Sequence, residues 1–171
     1  MTRSSCPICR SPHDRLGRRP ALAALAAAPR ALARAVARVP GRVLRRRPAR
    51  RAWSVTEVLA HLLDAEITLG FRIRAVAAEP GGVLPAWNQE KWTDSLRHRR
   101  AEPAQTLTAV TALRAANVAL ARRLTAAQRR LRGRHPEYGP LRVDQMLEHF
   151  AEHDLNHLAQ IRTALATLRP R

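Results

Sequence analysis

The chain has 171 residues with two cysteines, both in the first ten positions, enough for one domain with its own core and too few thiols for a disulfide framework, so a reducing cytoplasm is expected. No run of 18 apolar residues occurs, which argues against a membrane-spanning helix. The net charge of +18 invites a nucleic-acid partner, but residues 1–52 hold 14 arginines against the single acid Asp14, while residues 53–171 set 17 basic against 12 acidic residues.

Lys91 is the only lysine, and arginine accompanies abundant alanine throughout. That pairing is the mark of GC-rich coding, not of a selected phosphate-binding face. Aromatics, at 4%, do not interleave with the arginines, so stacking platforms for single strands are missing and nucleic acid is a disfavoured partner.

Residues 1–19 are polar and proline-broken and read as a disordered leader, with one domain over 20–171. The leader carries Cys6-x-x-Cys9 and His13, half of a zinc site, but no second Cys/His pair follows at finger-like spacing. Arg18-Arg19 before ALAALAAAP resembles a twin-arginine signal, yet the apolar stretch is short, alanine-dominated and broken by Pro29 and Arg30. Leu22, Leu25, Leu32, Val36, Val39 and Val43 follow at mostly three- and four-residue steps. They predict a helix bent or restarted at Pro29, then a short helical turn to about Arg47.

In WSVTEV, Ser54 is a good N-cap with Glu57 at N3, a capping box, and Trp53 and Val58 are placed for a hydrophobic staple. The helix it starts should run from Val55 to about Ala78. A loop from Glu79 to about Pro103 carries Trp87 and Trp92, which either wall a pocket or cap the end of the bundle. A third helix, about Ala104 to Ala127, uses Leu107, Val110, Leu113, Leu120 and Leu124. The connection GRHPEYGPL precedes a fourth helix from about Val143 to Leu168. Four amphipathic helices without a convincing strand predict an all-α four-helix bundle.

The fourth helix has an inward line of Met146, Phe150, His153, His157, Ile161, Ala164 and Leu168. His153 and His157 therefore stack one turn apart on the buried face. On the second helix His61 lies on the line Val58, His61, Ala65, Leu69 and is placed to meet the pair across the core. Two roles fit these imidazoles: core residues hydrogen-bonded to carbonyls or carboxylates, or metal ligands on rigid facing helices. Three unpaired imidazoles in one core would be costly. His149 lies slightly off the inward line and suits a supporting role. Asp64 and Glu66 either orient imidazoles, whose second N–H needs an acceptor, or pair with nearby arginines.

The segments WSVTEVLAHLLDAE, LPAWNQEKW and HPEYGPLRVDQMLEHFAEHDLNHLAQI resemble the DinB/YfiT-like bundle proteins, in order and spacing, from about residue 21 to 168. The resemblance implies an up-down-down-up or related bundle topology and a homodimer. It also implies one divalent ion held by His61, His153 and His157. Family members that isomerise maleylpyruvate carry a glutamate where His153 stands, so this chain resembles the all-histidine branch. Many relatives have a further histidine where Asn156 sits here.

Three neutral ligands leave an ion's charge uncompensated and positions open, the pattern of catalytic sites. Imidazoles suit zinc, nickel and iron alike. Such an ion activates a water or a thiol, and the resemblance implies the thiol form. The expected activity is therefore a thiol S-transferase or detoxifying enzyme acting on a low-molecular-weight thiol, such as bacillithiol or mycothiol, and an electrophile. A metal-dependent hydrolase is the nearer alternative. A nucleic-acid-associated stress or structural protein using the arginine-rich N-terminal third is the more distant one.

Overall fold

The computed structural model describes residues 14–168; Cys6, Cys9 and His13 lie outside them. Residues 14–19, expected in the leader, instead form a turn packed against the last helix. Leu16 is buried in the core. The Glu152 carboxylate accepts from the backbone N–H of Arg15 (3.1 Å) and of Leu16 (2.6 Å), so one acid satisfies two donors that no helix serves.

The helices are α1 (Ala21–Val36), α2 (Gly41–Leu44), α3 (Val55–Ala78), α4 (Gln89–Ser95), α5 (Pro103–Arg123), α6 (Ala126–Arg130) and α7 (Val143–Thr167). α3 begins as predicted: Ser54 Oγ accepts from the Glu57 N–H at 3.3 Å, and Glu57 Oε2 accepts from the Ser54 N–H at 2.7 Å. Arg47 pairs with Glu57 from outside the box. Trp53 packs against the apolar cluster that holds Val58.

α1 passes through Pro29 without restarting. Proline has no N–H for the carbonyl four residues back, so the Leu25 carbonyl is left free. Arg114 of α5 takes it, donating from Nη1 at 2.9 Å.

Two expectations between the long helices are corrected. The Glu79–Pro103 loop holds α4, whose N-cap Asn88 accepts from the Lys91 N–H at 2.9 Å, and a 3₁₀ turn at His98–Arg100. The connection before the last helix is not strand-free: β1 (Arg132–His135) and β2 (Gly139–Arg142) form an antiparallel hairpin. Its other edge is pinned to the end of the α3 loop, with Leu84 N–H donating to the Arg134 carbonyl and Arg134 N–H to the Gly82 carbonyl, both at 2.8 Å. The third helix, expected to reach Ala127, ends at Arg123, and Thr125 caps the short α6.

α1 and α3 each pack against α5 and α7, so α1 lies diagonal to α3 and α5 diagonal to α7. One apolar cluster joins Leu25, Ile73, Val118 and Met146; the other joins Leu32, Val58, Leu107 and Ile161. α1 and α7 therefore run from the first cluster to the second, and α3 and α5 run the opposite way. The order is up-down-down-up. The α1–α3 and α5–α7 connections cross diagonals, and α3 and α5 are parallel neighbours whose connection must return along the bundle, so the linkers are long and carry α2, the hairpin and α4.

A polar layer separates the clusters. Arg114 donates from Nε to Glu66 Oε2 (2.6 Å) and from Nη1 to Asp154 Oδ2, and Asn117 Nδ2 donates to Glu66 Oε1 at 2.7 Å. With the Leu25 carbonyl, this one guanidinium ties all four long helices together.

Candidate metal centre

His61, His153 and His157 project into that layer from α3 and α7. His61 is buried, and the other two are half-buried. His61 Nε2 lies 3.0 Å from His153 Nε2, and His157 Nε2 lies 3.1 Å from the same atom. One ligand atom from each ring lies within 4.8 Å of the others, the only such group among the described residues. A tetrahedral zinc with bonds of about 2.0–2.1 Å spaces its nitrogens roughly 3.3 Å apart, close to the spacing here.

Gln160, one turn on, fixes one ring. Its Oε1 lies 2.7 Å from His157 Nδ1, so Nδ1 carries the proton and the lone pair of Nε2 faces the cluster. Gln160 belongs to the closing H-x-x-x-H-x-x-Q stretch that carries the resemblance, but the sequence alone assigns it no role, although three residues after His157 it is within reach along a helix. Trp53 and Trp87 flank His61, with ring centroids 5.0 and 5.4 Å away.

Burial, then the neighbouring His157, pushes the His61 imidazole down to about 3. The same two causes hold His153 well below its ordinary range, and burial lowers His157 despite Gln160. All three rings are therefore neutral near pH 7, with lone pairs available. Neutral nitrogens at 3.0 and 3.1 Å cannot all be satisfied by one another, since His153 Nε2 either donates or accepts but not both. The Nδ1 atoms of His61 and His153 have no hydrogen-bond partner among the described residues. A cation at the meeting point satisfies the converging lone pairs, so the donor set fits a divalent ion.

Asp64 and Glu66, expected either to orient imidazoles or to pair with arginines, do not reach the three clustered rings, and Glu66 takes the arginine role. Glu66 belongs to Arg114 and Asn117. Asp64 Oδ2 lies 3.1 Å from His98 Nε2, and burial pushes its carboxyl up to about 6. His149 stays outside the cluster, its ring 6.0 Å from His153. Asn156 accepts from Arg15 Nε at 2.8 Å on the surface.

His61 and His153 line a cavity of about 430 Å³ between α3, α7, the hairpin and the segment before α4. Trp87 forms part of its wall, and Trp92 packs against Trp87 at 4.8 Å. A ligand group reaching the histidines comes through this space. No helix of the described residues is long and apolar enough to cross a membrane.

Residues 24–161 match the family model of the DinB superfamily. Two proteins of Oceanobacillus iheyensis, each named "Putative metal-dependent hydrolase", are similar at 26% identity over 118 residues and 24% over 110. The alignments cover 67% and 64% of this chain but 66% and 63% of those proteins, so the chain spans just under two thirds of their length. YfiT from Bacillus subtilis, described as a probable metal-dependent hydrolase with an unusual four-helix bundle topology, superposes with a TM-score of 0.79. The match covers 84% of this chain and 83% of that one at 22% identity, a likeness of fold.

Proposed function

The chain belongs to the DinB superfamily, and we propose that it is a metal-dependent enzyme whose divalent ion is held by His61, His153 and His157. The observation that carries this reading is the convergence of three neutral Nε2 atoms at one side of a cavity large enough for a small substrate. When bound, a divalent ion there supplies a Lewis acid that makes a water or a thiol nucleophilic near neutral pH.

The residues around it have definable tasks. Gln160 holds His157 in the ligating tautomer. Trp53 and Trp87 cover the His61 ring and keep bulk water from its flank. With no carboxylate in the donor set, nothing among the ligands offsets the ion's charge, and that favours a deprotonated nucleophile.

Two forms of the reaction share this site. The names of the two Oceanobacillus relatives support hydrolysis; the resemblance in the motifs supports transfer of a low-molecular-weight thiol to an electrophile. Protein loaded in turn with zinc, nickel and iron, offered ester and amide substrates and an electrophile panel with and without thiol, separates them. Turnover without thiol identifies a hydrolase, and turnover only with thiol a transferase. Metal-loaded protein inert in every arm would contradict the reading.

A further inference from the structure

Arg72 stands three turns beyond His61 on α3 and lines the same cavity, yet it is only 4% exposed. A buried guanidinium normally has a carboxylate partner. Among the described residues no ion pair engages it. Its Nη2 donates to the Pro85 carbonyl at 2.6 Å and lies 3.0 Å from His135 Nε2, while its Nε is buried without a partner.

His135 sharpens the point. The Glu137 N–H donates to its Nδ1 at 3.2 Å, so two donors converge on a ring that, when neutral, accepts at one nitrogen only. Burial, then the charge of Arg72, keeps that ring below its ordinary range and therefore neutral. With Nδ1 accepting, Nε2–H and the guanidinium both present protons. An acceptor oxygen arriving from the cavity satisfies both.

We infer that Arg72 and His135 form the binding site for a carboxylate of the substrate, a group distinct from the one that reacts at the histidine cluster. The spacing of the two sites sets that distinction. Eleven residues of helix separate His61 and Arg72 by about 16 Å along the axis, with the Arg72 side chain leaning back toward His61. The carboxylate is thus a handle several bonds from the reacting atom, the kind of remote contact that positions a substrate. Two acids of the cavity wall, Glu90 and Glu137, favour a monoanion over a dianion such as phosphate.

This assignment rests on the proposed function for its meaning, but its test does not. Isothermal titration calorimetry with benzoate, its neutral isostere benzamide and inorganic phosphate is run on chelator-treated and on zinc-loaded protein, beside Arg72→Gln and Arg72→Lys. In both preparations benzoate should bind at least tenfold tighter than benzamide and tighter than phosphate. Arg72→Gln should abolish that preference, and Arg72→Lys should keep part of it. Equal binding of benzoate and benzamide by the parent overturns the inference, as does an undiminished preference in the variants. A preference seen only with zinc present assigns the anion to the ion and also overturns it. Should Arg72→Gln not fold, the parent's selectivity and Arg72→Lys still decide. Protein that takes up no metal but keeps the Arg72-dependent preference would sink the metal reading alone.

Discussion

Gln160 Oε1 accepts a hydrogen bond from His157 Nδ1 at 2.7 Å, and this contact sets which nitrogen of His157 faces the cluster. Such supporting contacts typically contribute 10- to 100-fold in metal affinity. Gln160→Leu should weaken zinc binding by about that factor while leaving the helical circular dichroism unchanged. Competition against a chromophoric chelator measures it; an unaltered affinity would show that Gln160 does not position the ring.

Arg114 is 4% exposed and holds Glu66 and Asp154, which are 0% and 3% exposed. Burial pulls its pKa down, but the two carboxylates outweigh that and leave it raised. Removing the cation strands two buried anions, so Arg114→Met should destabilise the fold by about 3–5 kcal/mol. Urea unfolding of the chelated protein reads this directly. A change within experimental error would mean that the polar layer is not a fastening between the helices.

Gly70 is a close-approach position on α3. A Cβ there would meet the Asn117 amide at 2.6 and 2.7 Å, and Asn117 is anchored by Glu66 and by Arg74 Nη1 at 2.7 Å. Alanine gains about 1 kcal/mol of helix propensity, but overpacking costs roughly 1–3 kcal/mol, to which the disturbed Asn117 bonds add. Gly70→Ala should therefore lower the melting temperature. A rise would show that α3 and α5 have room to separate.

The pH dependence of the metal-free protein follows from two opposing groups. Burial lowers His61 to about 3 and holds His153 and His157 below 6.5. Their contribution is present above about 6.5 and lost as pH falls, because the unfolded chain binds those protons more readily. Asp64 is raised from 3.8 to about 6, so its contribution is present below 3.8 and lost as pH rises through 6. Burial also lowers His98 and His135, and five lowered imidazoles against one raised carboxyl predict a net loss of stability as pH drops from about 6.5 to 4. Urea midpoints across that range check it; stability that rises on acidification would mean that the histidines are not buried neutral.

Much of this arrangement is legible in the sequence where a local rule and the burial pattern agree. Ser54 and Glu57 mark the start of α3 because capping needs only four consecutive residues. His61, His153 and His157 are found because imidazoles interrupt apolar stripes at helical spacing. Arg114 and Asn117 escape because arginine and asparagine at inward positions look like solvent-facing residues. Yet Val110, Arg114, Asn117 and Ala121 form a buried stripe, and their spacing of four, three and four was readable. Leu113 and Leu120, on the helix's apolar line in the sequence, are only half-buried. The hairpin escapes for a different reason: its strands are four residues long and rich in glycine and arginine, and β1 gains its second partner from residues 81–84, about fifty positions away. Leu16 and Arg72 are set by tertiary contacts alone, which no local pattern encodes.

The central claim is that the three histidines are ligands. Metal content by mass spectrometry on tag-free protein, offered zinc, nickel and iron, tests it most directly beside His61→Ala and His153→Ala. The account predicts about one equivalent of divalent ion in the parent, the occupancy of a single three-histidine site, and its loss in both folded variants. A parent that stays metal-free, or variants that keep the ion, would contradict it.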